Sequence, residues 1–377
     1  MMEWYVEPAL ARGRVVPRAA AEYRQNPLSR TLRVVPSRKR FAMIRVGIVG
    51  LGFMGRMHYR CWKAIPDATI TAICEANPKV LAAAGEPSKG NVEGAADHID
   101  LKDVSVHSDL GELLATRSVD ALSITLPTFL HPDATVKALE AGVHVLCEKP
   151  MALDVADCDR MAAAARSAAR VLQIGHCIRF WPEYVVTRQL IQGGLFGRTI
   201  AASFRRYTAM PAWSPDSWFA DENRSGGQPL DLHIHDTDYI HHVFGLPATV
   251  SSVADGPQTY ISTHYHYVDG PAVVAESTWR MAPAFGFEMS FVVVLERATI
   301  LFNSSSTPSF RVLPAEGPPP PLDIPAGDGY SCEIEHFARA VAGETVEPII
   351  TPEQARDTIR LVLAEKQSAR EGRSVTV

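Results

Sequence analysis

The sequence predicts an α/β protein: a doubly wound parallel sheet followed by an α+β domain with an open, mostly antiparallel sheet. Three observations carry this. Short apolar runs alternate with helix-like segments from Met43 to Gly175. A glycine-rich turn closes the first of those runs. From about Phe180 the extended runs follow one another without helices between them.

Residues 43–49 form the first apolar run, which ends in Gly50-Leu51-Gly52-Phe53-Met54-Gly55, a G-x-G-x-x-G pattern. A helix-like segment, Arg56 to Ile65, leads to a second run, Ala68 to Cys74, and then Glu75. Strand, glycine turn, helix, strand and acid in that order describe a Rossmann dinucleotide-binding unit. Gly50 permits the tight turn, Gly52 lets a pyrophosphate approach, and Gly55 lets the helix pack against the strand. The helix N-terminus offers free N–H groups and the positive end of its dipole to the phosphates. Glu75 is expected to accept hydrogen bonds from the adenosine ribose hydroxyls. It would repel a 2′-phosphate, and Ala76 and Asn77 bring no cation to offset it, which favours NAD over NADP.

The alternation continues. Val104–Val106 reads as a strand, Asp109–Ala115 as a helix, Val119–Leu126 as a strand, Pro132–Ala141 as a helix and Val143–Cys147 as a strand. Ala152–Ala169 is alanine-rich and helical, and Val171–Gly175 is one more strand. Residues 85–103 fit neither period and read as an exposed loop. The second half reads as a helix, Glu183–Ile191, then strands at Thr199–Tyr207, Val250–Val253, Tyr260–Val268, Val273–Trp279 and Glu288–Leu295. Gly317-Pro318-Pro319-Pro320-Pro321 is a stiff connection, and helices at Cys332–Val341 and Pro352–Arg370 close the chain. The expected division is a basic extension (1–42), a dinucleotide-binding domain (43–175), a substrate and oligomerisation domain (176–330) and terminal helices packing back on the protein (331–377).

Three segments then match a known family. They are Thr125-Leu126-Pro127-Thr128-Phe129-Leu130-His131-Pro132, Cys147-Glu148-Lys149-Pro150, and Gly226-Gly227-Gln228-Pro229-Leu230-Asp231-Leu232-His233-Ile234-His235-Asp236-Thr237-Asp238. The ending Ala364 to Arg373 is also similar to that family's last helix. The chain resembles the glucose–fructose oxidoreductase/inositol dehydrogenase/rhizopine-catabolism (Gfo/Idh/MocA) family over residues 43–377. The resemblance implies an NAD(P)-dependent enzyme that oxidises or reduces pyranoses, cyclitols or related polyols, often as a homodimer or homotetramer. It implies Lys149 as the catalytic-site lysine with Asp231 and His235 beside it. It implies Thr125, Pro127, His131, Glu148 and Lys149 at the cofactor, with a cis peptide before Pro150.

The residues add their own case. Asp231 and His235 are four apart and share a helix face, and Asp238 and His242 continue the stripe. His235, of ordinary pKa near 6.5, suits proton exchange with a substrate hydroxyl. Asp231 is expected to orient the imidazole and favour its protonated form, against the pull of Lys149. Lys149 is expected to stabilise negative charge on the reacting oxygen. The bland alternatives are a surface lysine before a turn, a satisfied core histidine and an aspartate capping its helix. No metal is expected: His233 and His235 point to different sides of a helix, which leaves a set with His241 and His242 poorly convergent. Arg179, Trp181 and Trp213 are expected at the substrate, with Tyr184 and Trp218 as further ring surfaces, although such aromatics are more often core.

Composition bounds the rest. With 46% hydrophobic and 21% charged residues and a net charge of −5, the chain suits packed cores, and nucleic acid is not expected as a partner. Residues 1–42 hold nine Lys/Arg against three Glu, opposite in sign to the remainder. Ser37-Arg38-Lys39-Arg40-Phe41 faintly resembles an export signal, but the run after it is better used as a buried strand. Six scattered cysteines without a C-x-x-C pair and no long apolar stretch point to a reduced, cytoplasmic protein without a membrane partner. Two other readings stay open within the scaffold: an NAD-dependent glycosidase that oxidises transiently and eliminates, and a non-catalytic NAD-binding regulator.

Overall fold

The computed structural model describes residues 43–377 apart from 88–89, 91–94, 96–97, 212–214 and 257–258. The expected basic extension and Trp213 therefore lie outside the described residues. No helix among those described is long and apolar enough to cross a membrane.

Two sheets organise the chain. The first contains β1 (Ile44–Val49), β2 (Ala68–Cys74), β3 (Ser105–His107), β4 (Ala121–Ile124), β5 (His144–Glu148) and β6 (Leu172–Gly175), all parallel, in the order β3-β2-β1-β4-β5-β6. Val46, Ile48, Leu146 and Ile174 are almost wholly inaccessible, as strands covered on both faces require. The strand order reverses between β1 and β4, the place where such sheets open a crevice at the carboxyl ends of their strands. Helix α1 (Phe53–Lys63) covers one face, and α4 (His131–Glu140) and α5 (Val155–Ala168) the other; α2 (Pro78–Ala82) and α3 (Leu110–Ala115) are short.

After α6 (Pro182–Gln192), β7 (Thr199–Thr208), α7 (Glu222–Ser225) and α8 (Ile234–Phe244), the second sheet is built from β7 to β14. The later strands are β8 (Thr249–Ala254), β9 (Tyr260–His266), β10 (Ala272–Thr278), β11 (Phe287–Leu295), β12 (Ala298–Asn303), β13 (Phe310–Pro314) and β14 (Val375–Thr376). Their order is β13-β12-β11-β7-β10-β9-β8-β14, antiparallel except for β10 beside β7. The sequence reading stopped at Leu295 and missed β12 and β13, although Ala298, Ile300 and Phe302 alternate inward at the strand period.

The closing helices tie the two sheets together. α9 (Gly329–Val341) and α10 (Pro352–Glu371) each start on a capping box, Asp328 with Ser331 and Thr351 with Gln354. α9 packs on α1. α10 buries Ile359 and Val362 in the core of the parallel sheet and Leu361 and Ala364 in that of the second sheet. One helix thus serves both cores, which fixes the walls of the cleft between them. The five buried cysteines and the half-buried Cys332 are all free thiols.

Candidate active site

A cleft of about 1220 Å³ runs along the carboxyl ends of β1, β4 and β5 and under the second sheet. One end is the glycine turn. Gly50 has φ +91°, and Thr125 Oγ1 donates to its carbonyl at 2.7 Å. A Cβ on Gly55 would overlap Gly50 O, so this glycine is required by the close packing of α1 on β1. A Cβ on Gly52 would meet no atom within 4 Å. Gly52 is also the N-cap of α1 and has no side chain to cap it, so the first turn of the helix starts at the cleft wall. The Glu75 carboxylate accepts from Leu51 N and Asn77 N, both at 2.8 Å, which holds it rigidly beside the turn. Glycine cradle, helix end and fixed carboxylate fit a dinucleotide. Phe53, Met54, Thr125, Pro127 and Glu148 line the same cleft.

His131 does not line it. Its imidazole is 1% exposed, with Nδ1 2.8 Å from Pro150 O and Nε2 2.8 Å from Leu126 O. It supports from behind the two loops that carry Pro127 and Lys149. Burial pushes its pKa down, against the two carbonyls.

At the other end, the peptide between Lys149 and Pro150 is cis. Lys149 Nζ donates to Asp231 O at 2.7 Å and Asp231 Oδ1 at 2.9 Å, leaving one of its three N–H groups for the cleft. Behind it, Glu148 accepts from Lys149 N at 3.0 Å and pairs with His58 Nε2 at 3.0 Å. Burial pushes the Glu148 carboxyl up, but the His58 hydrogen bond and the nearby positive charge outweigh it and leave the pKa low. Glu148 thus links β5 to α1.

Asp231 stands in a π-helical turn, Pro229–His233, that leads into α8. Such wide turns recur at functional sites. The expectation that Asp231 orients the His235 imidazole is corrected: its carboxylate is bonded to Lys149, and His235 Nδ1 is buried without a hydrogen-bond partner among the described residues. His235 still lines the cleft. Burial, then the charges of Lys149 and Arg206, push its pKa well below the ordinary histidine value, so the imidazole is neutral near pH 7 rather than protonated.

The polar stripe does not continue along the cleft. Asp238 is fully buried in a bidentate pair with Arg179, both bonds 2.8 Å, and accepts from Thr358 at 3.0 Å. His242 Nδ1 faces the same guanidinium at 3.2 Å. Arg179, expected at the substrate, is instead 2% exposed and donates also to Ile349 O and Gln354. It cross-links the start of α10 to α8, because a guanidinium away from water needs its charge matched and its donors filled. Tyr184 is likewise core, packed edge-on to Tyr239, Phe291 and Phe302. Trp181 does line the cleft, edge-on to Tyr330 with centroids 5.9 Å apart, and so does Trp218, stacked on Phe219 at 4.0 Å. Of the histidines weighed as metal ligands, His233 pairs with Ser277, His241 with Thr358 and His242 with Arg179.

The structure adds cleft residues that sequence reasoning missed: Arg206, Met289, Ser304 and Tyr330. Arg206, in a strand otherwise Phe204-in and Arg205-out, was the legible one, since it is a charged residue at an inward position.

Two models of one family match the chain. One, described as an oxidoreductase family with an NAD-binding Rossmann fold, covers residues 44–176, and the family's C-terminal domain covers 184–301. The chain is 25% identical over 351 residues to scyllo-inositol 2-dehydrogenase (NAD(+)) of Bacillus subtilis (strain 168), covering 88% of this chain and 96% of that one. It is 30% identical over 213 residues to 2,7-anhydro-N-acetylneuraminate hydratase of Escherichia coli (strain K12), covering 56% of this chain and about half (52%) of that protein. Among solved structures, the WlbA dehydrogenase of Bordetella pertussis in complex with NADH and UDP-GlcNAcA superposes with a TM-score of 0.75 at 22% identity, covering 91% and 99%. A levoglucosan dehydrogenase in complex with NADH and levoglucosan gives 0.72 at 22%, covering 89% and 99%. A parallel sheet in the order 3-2-1-4-5-6, a larger, mostly antiparallel sheet and family models over both halves lead to one conclusion: this chain belongs to the GFO/IDH/MocA family of NAD-binding oxidoreductases.

Proposed function

We propose that the protein moves a hydride between NAD, in preference to NADP, and a hydroxyl-bearing carbon of a sugar, cyclitol or related polyol. The observation that carries this reading is the single cleft with a dinucleotide cradle at one end and Lys149, Asp231 and His235 at the other. Gly50, Gly52 and the α1 N-terminus would hold the pyrophosphate, Glu75 the adenosine ribose, and Thr125, Pro127 and Glu148 the nicotinamide end. The bound dinucleotide supplies the hydride acceptor or donor.

The chain's own residues handle the proton and the oxygen. His235, kept neutral, takes the hydroxyl proton at Nε2, since Nδ1 is shut inside. Lys149, pinned by two bonds to Asp231, directs its remaining N–H at the same oxygen and stabilises the charge that develops there. A neutral base favours the oxidation direction. Trp181 and Trp218 offer ring faces to the substrate. The similarity to dehydrogenases of inositols supports the substrate class. The similarity to a hydratase keeps a redox-neutral elimination as the second reading. Val294 and Leu313, exposed in one cross-strand row on the side of the second sheet away from its core, support pairing of subunits into a dimer or tetramer.

A panel of sugars, cyclitols and glycosides incubated with NAD, read by NADH absorbance and by product analysis, tests the proposal. NADH accumulating with a polyol supports it. A new sugar product without NADH establishes the elimination reading instead.

A further inference from the structure

We infer that Arg206 binds the substrate, and that the atom it binds is the oxygen of a neutral hydroxyl or ring ether, so that a carboxylate is rejected at this position. This rests on the sugar or cyclitol reading above. β7 turns Phe204, Arg206 and Thr208 to the covered face of the second sheet. The Arg206 guanidinium is 2% exposed, yet it lines the cleft together with His235, Met289 and Ser304. Nε and Nη2 donate to the two oxygens of Asp236 at 3.1 and 2.9 Å. Asp236 is fully buried and follows His235 directly in the chain, so the pair is rigid and adjacent to the proposed base.

Arginine has five N–H groups. Two are taken by Asp236. The rest have as neighbours the Met289 thioether, 3.5 Å from Nη1, and the Tyr184 hydroxyl. Two neutral neighbours, one a weak acceptor, cannot fill three donors on a buried cation. Met289 itself lines the cleft, so the underfilled corner borders the space a substrate enters. Such a group favours an incoming oxygen, because an unmet buried donor costs more than a filled one returns.

Charge decides which oxygen. Asp236 already neutralises Arg206, and burial pushes the Asp236 carboxyl up even with the guanidinium beside it. A second carboxylate on the same cation would leave a net negative charge beside the Met289 thioether, which offers no compensating cation. Lys149 is matched in the same way by Asp231. A hydroxyl or ether oxygen fills the donors at no charge cost.

The test compares the wild type with Arg206→Lys, which keeps a cation against Asp236 but removes the fork. Arg206→Gln serves as the second variant, and melting temperature and NAD affinity verify that each is folded. Each protein is assayed on the best neutral substrate, its monodeoxy analogues and its uronate. Loss of one particular hydroxyl should lower wild-type kcat/KM about ten- to a hundredfold, the scale of a hydrogen bond to a charged group. The same loss should cost the variants less than about threefold, with NAD affinity unchanged. Identical deoxy profiles in wild type and variants overturn the inference. So does a wild-type preference for the uronate that disappears in Arg206→Lys, which leaves the oxidoreductase reading standing. No NAD-linked turnover of any sugar or cyclitol overturns both.

Discussion

Gly52 and Gly55 stand three residues apart in one turn and answer different demands, so an added methyl separates cofactor binding from folding. At Gly52, φ −67° and ψ −164° suit alanine, and nothing lies within 4 Å of its Cβ. Gly52→Ala should change stability by no more than about 1 kcal/mol, the scale of an N-cap exchange. The methyl would stand where the pyrophosphate must approach, holding it off the N–H groups of α1. Losing one or two charge-assisted hydrogen bonds of about 1.5–3 kcal/mol each weakens NAD binding by roughly ten- to ten-thousandfold. At Gly55 the added Cβ would overlap Gly50 O and lie 3.1 Å from Thr125 Oγ1. The obstructing neighbours are mostly backbone, so no rotamer relieves the clash, and overpacking of about 1–3 kcal/mol or more is expected. Calorimetric titration with NAD and thermal melting of the free proteins read the two effects. The reasoning is refuted by a Gly52→Ala protein that binds NAD normally or melts well below wild type, or by a Gly55→Ala protein with an unchanged melting point.

Lys149→Ala and His235→Ala should each lower turnover by about two to four orders of magnitude while leaving NAD affinity intact, and near-normal rates in either remove that residue from the mechanism. Because His235 must be neutral to take a proton and its pKa is depressed, oxidation should fail in the pH–kcat/KM profile only as pH falls below about 6.5, the ordinary histidine value. Asp231→Asn should lower turnover less than either alanine substitution, by loosening Lys149, and an unchanged rate in that variant would count against the assignment of its carboxylate to Lys149. Glu75→Ser combined with Ala76→Arg should narrow or reverse the preference for NAD, and should also cost about 1–3 kcal/mol, because the carboxylate fills Leu51 N and Asn77 N. Tighter NADP binding by the unmodified protein would contradict the reading of Glu75. Arg179→Met should destabilise by about 3–5 kcal/mol by leaving Asp238 unpaired, seen as a lower melting temperature, whereas a shifted KM at unchanged stability would return Arg179 to the substrate.

The sequence by itself determined the dinucleotide half. A glycine turn, an acid closing the second strand and alternating periods are local features, each fixed by a few neighbouring residues; Gly50, Gly52 and Glu75 line the cleft, and Gly55 packs α1 against the turn behind them. The resemblance to a family located Lys149, Asp231 and His235 in the same cleft for the same reason: the motifs are contiguous. Tertiary structure decided what those groups touch. Asp231 and His235 share a helical face in sequence, yet the carboxylate turns to a lysine 82 residues away, and burial with the charges of Lys149 and Arg206 leaves the imidazole neutral. Asp238 and Arg179, 59 residues apart, become a buried pair that no helical wheel distinguishes from cleft-facing groups. Arg206 reaches the cleft because β7 is central in an eight-stranded sheet whose neighbours come from distant segments. Local periods say which side a residue takes; which charge it meets there, and so its protonation and role, depends on elements brought together by folding.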